Sequence, residues 1–344
     1  MPLRAWSRWL AVALAALAAS LGAVSPAAAQ HAGLRRLAVP TATESIEVLL
    51  FYPTATAARA IPMGPWLPVV APGAPASAAP LRGLLLLSHG TGGDALGHHS
   101  LATRLAAAGY LVAALRHPGD HWQDRSLMTS GRYFSERPRQ VSQVLDALLA
   151  HPEWGARIPA QRVGAVGHSA GGYTVLALAG AQAEPDRARR HCASAHDDPG
   201  FCALARTAMG GTPQGQDRVA QPQDGDRVSA ADPRIRAVVA LAPMAVVLTP
   251  ESLAAVRVPV RILMAEHDAV LTARYHGGHV AAHVPGSQAS TVPGAGHFAF
   301  MAVPQHSLPS DSGDVAADPP GFDRGAYQDT LAREVLVFWA RVWP

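Results

Sequence analysis

Lysine is missing from this sequence: all 28 basic side chains are arginine, which excludes Schiff-base chemistry and any other mechanism that needs a lysine amine. Cysteine is almost as scarce, with only Cys192 and Cys202 in 344 residues. Neither stands in a nucleophile motif, so a thiol nucleophile is not indicated, and neither is placed to carry a lipid near the start of the chain. There is no basic run, and the formal net charge is only +3, so no nucleic-acid partner is expected. The sequence has no H-E-x-x-H. The pairs His98-His99 and His117 with His121 have no zinc-like spacing with the cysteines, so no metal and no other cofactor is expected. Beyond the first thirty residues no apolar run approaches the roughly 20 residues of a spanning helix, and no membrane span is expected.

The first thirty residues differ from the rest. Arg4 and Arg8 precede an apolar run from Trp9 to Val24 that ends at Pro26 and Ala27-Ala28-Ala29, the layout of a secretory signal peptide cut near Ala29. The expected domain plan is therefore a signal peptide over 1–29 and a single domain over 30–344, in a periplasmic or extracellular protein. In such an oxidising compartment Cys192 and Cys202 are expected to form a disulfide, the alternative being two unpaired thiols.

Hydrophobic residues make up 49% of the chain, enough for a substantial core. Apolar runs at Ser45–Tyr52, Leu84–Ser88, Tyr110–Arg116, Arg162–Gly167, Ile235–Leu241 and Val258–Ala265 read as strands, several of them buried on both faces. Helical patterns lie between and after them at Leu101–Ala108, Arg139–Leu149, Gly171–Ala181 and Ala326–Val342. This alternation predicts an α/β class, a mostly parallel, doubly wound sheet. Thr54–Pro80 and Val303–Gly321 read as loops. Glu184–Pro233, polar and carrying both cysteines, reads as an insertion, either a lid over a site or a surface excursion.

Gly167-His168-Ser169-Ala170-Gly171-Gly172 matches G-x-S-x-G between a strand and a helix. In that context the glycines allow a turn so tight that the serine hydroxyl stands out above the sheet edge. A hydroxyl is a poor nucleophile without a base, and the base needs a partner to fix its tautomer. His297, in the glycine-rich loop Pro293-Gly294-Ala295-Gly296-His297 after a short strand at Ala289–Val292, is the expected base. His276, His279 and His283 compete less well because they fall in a helical stretch. Asp268, at the end of the strand Ile262–Ala265, is the expected acid, with Glu266 as its competitor. Oxyanion donors are expected from the N–H groups of Ala170 and of Thr91 in the loop Ser88-His89-Gly90-Thr91-Gly92-Gly93. That loop lacks both the phosphate-loop lysine and the dinucleotide G-x-G-x-x-G spacing. Pocket walls are expected from Glu184–Pro233 and from Gly119–Pro138, whose Trp122, Met128, Tyr133 and Phe134 either face an acyl group or pack as core.

With these residues in place, the sequence resembles the α/β-hydrolase superfamily over nearly all of residues 30–344. Ser88-His89-Gly90-Thr91-Gly92, His117-Pro118-Gly119-Asp120, Glu136-Arg137-Pro138 and the Ser169 motif are similar to the exported predicted dienelactone-hydrolase group and, through it, to bacterial platelet-activating-factor acetylhydrolases. The resemblance implies an ester hydrolase with Ser, Asp and His in that order. True dienelactone hydrolases use a cysteine, so lactone specificity is not carried over. The expected function is a secreted serine hydrolase that cleaves small-molecule carboxylic esters through an acyl-enzyme on Ser169. A peptidase or acyltransferase with the same triad, and a non-catalytic binding protein on this scaffold, are the alternatives. Nothing in the sequence specifies an oligomeric state.

Overall fold

The computed structural model describes residues 30–42, 44–210 and 226–344. The expected signal peptide, with Ala29, lies outside the described residues, as does 211–225 of the expected insertion.

A sheet of ten strands runs through the molecule in the order β10-β9-β8-β7-β5-β6-β2-β1-β4-β3. Its parallel block consists of β5 (Leu84–Ser88), β6 (Leu111–Arg116), β7 (Val163–His168), β8 (Ala237–Leu241), β9 (Val260–Ala265) and β10 (Gln288–Val292). Beyond β6 the sheet turns antiparallel through β2 (Ser45–Thr54) and β1 (His31–Pro40). The apolar runs are continuous because both faces are covered. In β5, Leu84 and Leu86 join one core cluster while Leu85 and Leu87 join the other, so successive side chains feed opposite layers.

Helices α1 (His99–Ala107), α2 (Tyr133–Ala150), α3 (Ala170–Leu178) and α8 (Arg324–Val342) cover the two faces. All nine residues of α3 are buried, so its sequence is apolar all round and not striped. Helix α2 begins six residues earlier than its apolar pattern predicts and holds Pro138 within it. Proline has no N–H to offer the carbonyl four residues back. That carbonyl, of Phe134, instead accepts from the Tyr173 hydroxyl of α3 at 2.7 Å, so an interelement bond carries the helix through its proline.

Two tracts expected to be loops contain short strands. Within Thr54–Pro80, β3 (Arg59–Ala60) and β4 (Val69–Pro72) extend the sheet, with β4 parallel to β1. Within Val303–Gly321, β11 (Pro309–Ser310) and β12 (Gly313–Asp314) form a small ribbon. Both were hidden by proline and by pairing with partners the local sequence does not name. The described part of Glu184–Pro233 contains α4 (Asp186–Ser194) and α5 (Pro199–Gly210), joined by a Cys192–Cys202 disulfide. The remaining helices are α6 (Pro250–Ala255) and α7 (Gly277–His283). Among the described residues no helix is long and apolar enough to cross a membrane.

Candidate active site

Ser169 sits between β7 and α3 with φ 57° and ψ −118°, a backbone conformation that a residue with a side chain adopts only at a cost of about 1 to 3 kcal/mol. The neighbouring glycines make it possible. A Cβ on Gly167 would lie 2.0 Å from the Gly171 carbonyl oxygen, and one on Gly171 would lie 2.0 Å from the Ser88 oxygen. The strained residue is anchored from both sides, since Ser169 N–H donates to Leu241 O at 2.9 Å and Ser169 O accepts from Met244 N–H at 2.9 Å.

His297 Nδ1–H donates to Asp268 Oδ2 at 2.8 Å, with both side chains only 4% exposed. The other carboxylate oxygen, Oδ1, accepts the N–H groups of Val270 and Leu271 at 2.9 and 2.8 Å, which fixes the acid on its turn. Glu266 does something else. It is exposed, and its Oε2 accepts the Gly294 N–H at 2.7 Å, bracing the loop that carries His297. His168 also holds that loop, donating from Nε2 to the His297 carbonyl at 2.9 Å. Burial pushes the His168 imidazole well below its ordinary pKa, and the adjoining His297 adds to the effect, so it acts as a neutral donor.

Ser169, His297, Ala170 and Thr91 all face one cleft of about 1180 Å³ along the C-terminal edge of the parallel strands. Its walls include Met128, Tyr133 and Phe134 from the Gly119–Pro138 segment, and Ala188, Phe201 and Leu204 from the insertion. Both expected wall segments therefore border the cleft. Trp66 from the Thr54–Pro80 tract and Leu308 and Val315 from the β11–β12 region complete it, and these the sequence did not announce. The other expected competitors lie elsewhere: His276 donates from Nε2 to Asp198, and His279 bonds the Leu248 carbonyl.

A serine elbow after β7 of a mostly parallel sheet, followed in the chain by an aspartate and a histidine that bond to each other, is a specific topology. The comparisons with known proteins agree with it. Residues 98–189, which span the serine motif, match the prolyl oligopeptidase family. A ferulic acid esterase from Streptomyces cinnamoneus superposes with a TM-score of 0.61 at 18% identity, covering 93% of this chain and 92% of the esterase. The fold is that of the α/β-hydrolase superfamily. A puromycin-hydrolyzing peptidase from Mycobacterium tuberculosis shares this hydrolase fold with a TM-score of 0.51 at 12% identity, over 90% of this chain and 39% of the peptidase. The chain thus spans well under half of that peptidase. No curated protein sequence matches the chain.

Within the hydrolase fold, the loop after β5 is where a second oxyanion donor is needed. Thr91 N–H has no acceptor among the described residues, whereas Gly92 N–H donates to Asp120 Oδ1 at 2.8 Å and Gly93 N–H to Gly90 O at 3.0 Å. Ala170 opens α3, where a first-turn N–H has no intrahelical partner. A Cβ on Gly90 would lie 3.1 Å from Ser169 Cβ, so the loop passes directly over the serine. The Thr91 hydroxyl meets the Tyr133 hydroxyl at 2.5 Å.

Sequence reasoning missed what holds this loop in place. Arg137, fully buried, pairs with buried Asp120, donates to the His89 carbonyl, and reaches Ser88 Oγ at 3.3 Å and Thr174 Oγ1 at 3.2 Å. Beneath it, Ser88 Oγ–H donates to His117 Nε2 at 2.8 Å, and His117 Nδ1–H to Gln140 Oε1 at 2.7 Å. His117 is thus a structural member of a hydrogen-bond network, held uncharged chiefly by burial and secondly by the Arg137 charge. The signal was present only as the separate motifs His117-Pro118-Gly119-Asp120 and Glu136-Arg137-Pro138. Their meeting depends on two elements closing over β5.

Proposed function

We propose that this chain is a serine hydrolase that cleaves carboxylic esters of small molecules. The observation that carries the reading is a positive-φ serine at a strand-to-helix elbow, in the same cleft as an imidazole whose Nδ1 is bonded to a carboxylate. In this mechanism Ser169 Oγ attacks the ester carbonyl carbon as His297 Nε2 takes its proton. Asp268 holds His297 in the tautomer that leaves Nε2 free and stabilises the imidazolium that forms. The N–H groups of Thr91 and Ala170 receive the oxyanion, each donor typically worth about 3 kcal/mol in the transition state. The imidazolium then protonates the departing alcohol, and a water deprotonated by His297 releases the acid from Ser169. The residue chemistry uses no cofactor.

The family match and both structural neighbours support a serine hydrolase, while a fold shared by 704 solved chains does not by itself choose the bond cleaved. The superposition on the esterase covers 93% of this chain and 92% of the esterase, which favours the ester reading. The prolyl oligopeptidase match favours a peptidase as the second reading. The Cys192–Cys202 disulfide supports the reading that the protein is exported. Labelling of the purified protein with a fluorophosphonate, with mapping of the adduct, tests the nucleophile. Modification at Ser169 together with faster turnover of p-nitrophenyl esters than of matched p-nitroanilides is expected. Folded protein that resists the reagent and hydrolyses neither would sink the assignment, and faster anilide cleavage would replace the esterase with the peptidase.

A further inference from the structure

We infer that the cleft selects bulky esters that carry no formal charge, an inference that rests on the ester-hydrolase reading of the same site. Among the described residues four arginines border the cleft, and so do four carboxylates. Each arginine is already engaged. Arg36 Nη1 lies 2.5 Å from Glu47 Oε1, and Arg116 reaches Glu47 Oε2 at 3.4 Å and Asp94 Oδ2 at 3.8 Å. Arg125 Nη1 meets Asp311 Oδ2 at 2.5 Å across the mouth, between the Gly119–Pro138 segment and the β11–β12 ribbon. Arg189 Nε lies 2.6 Å from Asp186 Oδ1 on the insertion.

Partly exposed pairs of this kind contribute little to stability, but they cancel one another's field. The imidazoles of His89 and His168, which also border the cleft, add no charge, because burial above all holds both well below their ordinary pKa. His306 stands at the exposed rim. Guanidinium N–H groups remain, among them the Nε of Arg116 and of Arg125, which have no hydrogen-bond partner among the described residues. They belong to cations whose charge is already compensated, so a substrate carboxylate or ammonium meets no uncompensated opposite charge, and a charge taken from water on those terms is costly. An uncharged substrate meets no such cost. What remains to grip it is apolar: Phe134, Phe201 and Trp66, with Trp122, 65% exposed. The cleft volume of about 1180 Å³ exceeds the roughly 300 to 1000 Å³ of ordinary small-molecule sites, so there is room for large groups on either side of the ester.

The test compares p-nitrophenyl hexanoate with two esters of equal reach, one ending in a carboxylate and one in a trimethylammonium group. Values of kcat/KM for both charged esters are expected to fall at least about tenfold below the neutral one. Either charged ester matching or exceeding the neutral one overturns the inference. Asp311→Asn frees Arg125, and the ratio of anionic to neutral turnover is expected to rise severalfold; an unchanged ratio removes the charge-pairing explanation. Fluorophosphonate labelling runs alongside. Labelling at Ser169 with a preference for a charged ester defeats only this inference, whereas no labelling and no turnover of any ester defeats the hydrolase reading beneath it.

Discussion

Arg137 places one guanidinium among four acceptors: a carboxylate on the turn after β6, a carbonyl and a hydroxyl at the end of β5, and a hydroxyl on α3. The proposed role is positioning, since Arg137 borders the loop 88–93, proposed to supply an oxyanion donor, without lining the cleft. Arg137→Lys keeps the charge but loses the planar fork. The expected result is a kcat about 10- to 100-fold lower with KM little changed, because a displaced oxyanion donor is felt mainly in the transition state. A lowered melting temperature with kcat intact would show the residue to be structural only. Ser169 invites a second test. Ser169→Ala and Ser169→Gly are both expected to lose activity at least about a thousandfold. Glycine is expected to be the more stable of the two by about 1 kcal/mol, because φ 57° strains any residue with a Cβ. Equal melting temperatures for the two variants would argue that the elbow is not strained.

At the scale of elements, the insertion is fastened to the turn that carries Asp268, the proposed acid. Asp198 Oδ2 accepts from His191 Nε2 at 2.8 Å and from His276 Nε2 at 2.9 Å, while Oδ1 accepts the Thr272 N–H at 2.9 Å, four residues past Asp268. Burial alone would raise the Asp198 pKa, but these bonds and the His276 charge outweigh it and hold the carboxyl at about 2. Within the insertion, the Cys192–Cys202 bond ties α4 to α5, which supply Ala188, Phe201 and Leu204 to the cleft. Removing the bond with Cys192→Ser and Cys202→Ser is expected to cost about 2 to 3 kcal/mol at most, because the loop closed is short. Its larger consequence is expected at the cleft wall: a severalfold rise in KM for large esters and a smaller one for p-nitrophenyl acetate. Limited proteolysis beside kinetics checks this, and equal KM changes for both substrates would mean that the insertion does not shape the cleft.

For the whole molecule, buried histidine sets the pH response. Burial first, and then the neighbouring His99 charge, bring His98 from 6.5 to about 3; burial and Arg104 bring His99 to about 4. His89, His117 and His168 move the same way. A histidine whose folded pKa is depressed contributes stability that is complete above the unfolded value of 6.5 and is lost as pH falls toward the folded value. Asp198 adds a further loss only between 3.8 and about 2. Denaturant midpoints are therefore expected to be level above pH 6.5 and to fall steadily through mildly acidic pH, at up to about 1.4 kcal/mol per pH unit for each histidine. A profile flat into mild acid would contradict this, as would one falling only where carboxylates titrate.

Much of this was legible in the chain because the deciding information is local. Leu84–Ser88 reads as a strand buried on both faces since every residue in it is apolar or small. The G-x-S-x-G turn reads as an elbow since steric limits act between adjacent residues. Asp268 and His297 were legible by type and order, each in the loop that follows a strand. The sequence did not reveal β4, whose pairing with β1 spans some forty residues, nor the Tyr173 hydroxyl that lets Pro138 stand inside α2. It favoured Asp268 over Glu266 as the partner of the histidine, but two carboxylates two residues apart are separated finally by where the folded loop brings the imidazole. Local pattern determined which residues have the chemistry. Closure of α2, the insertion and the β11–β12 ribbon over the sheet edge decided which of them meet, and how the charges around the cleft cancel, because contacts between distant segments exist only once the chain is packed.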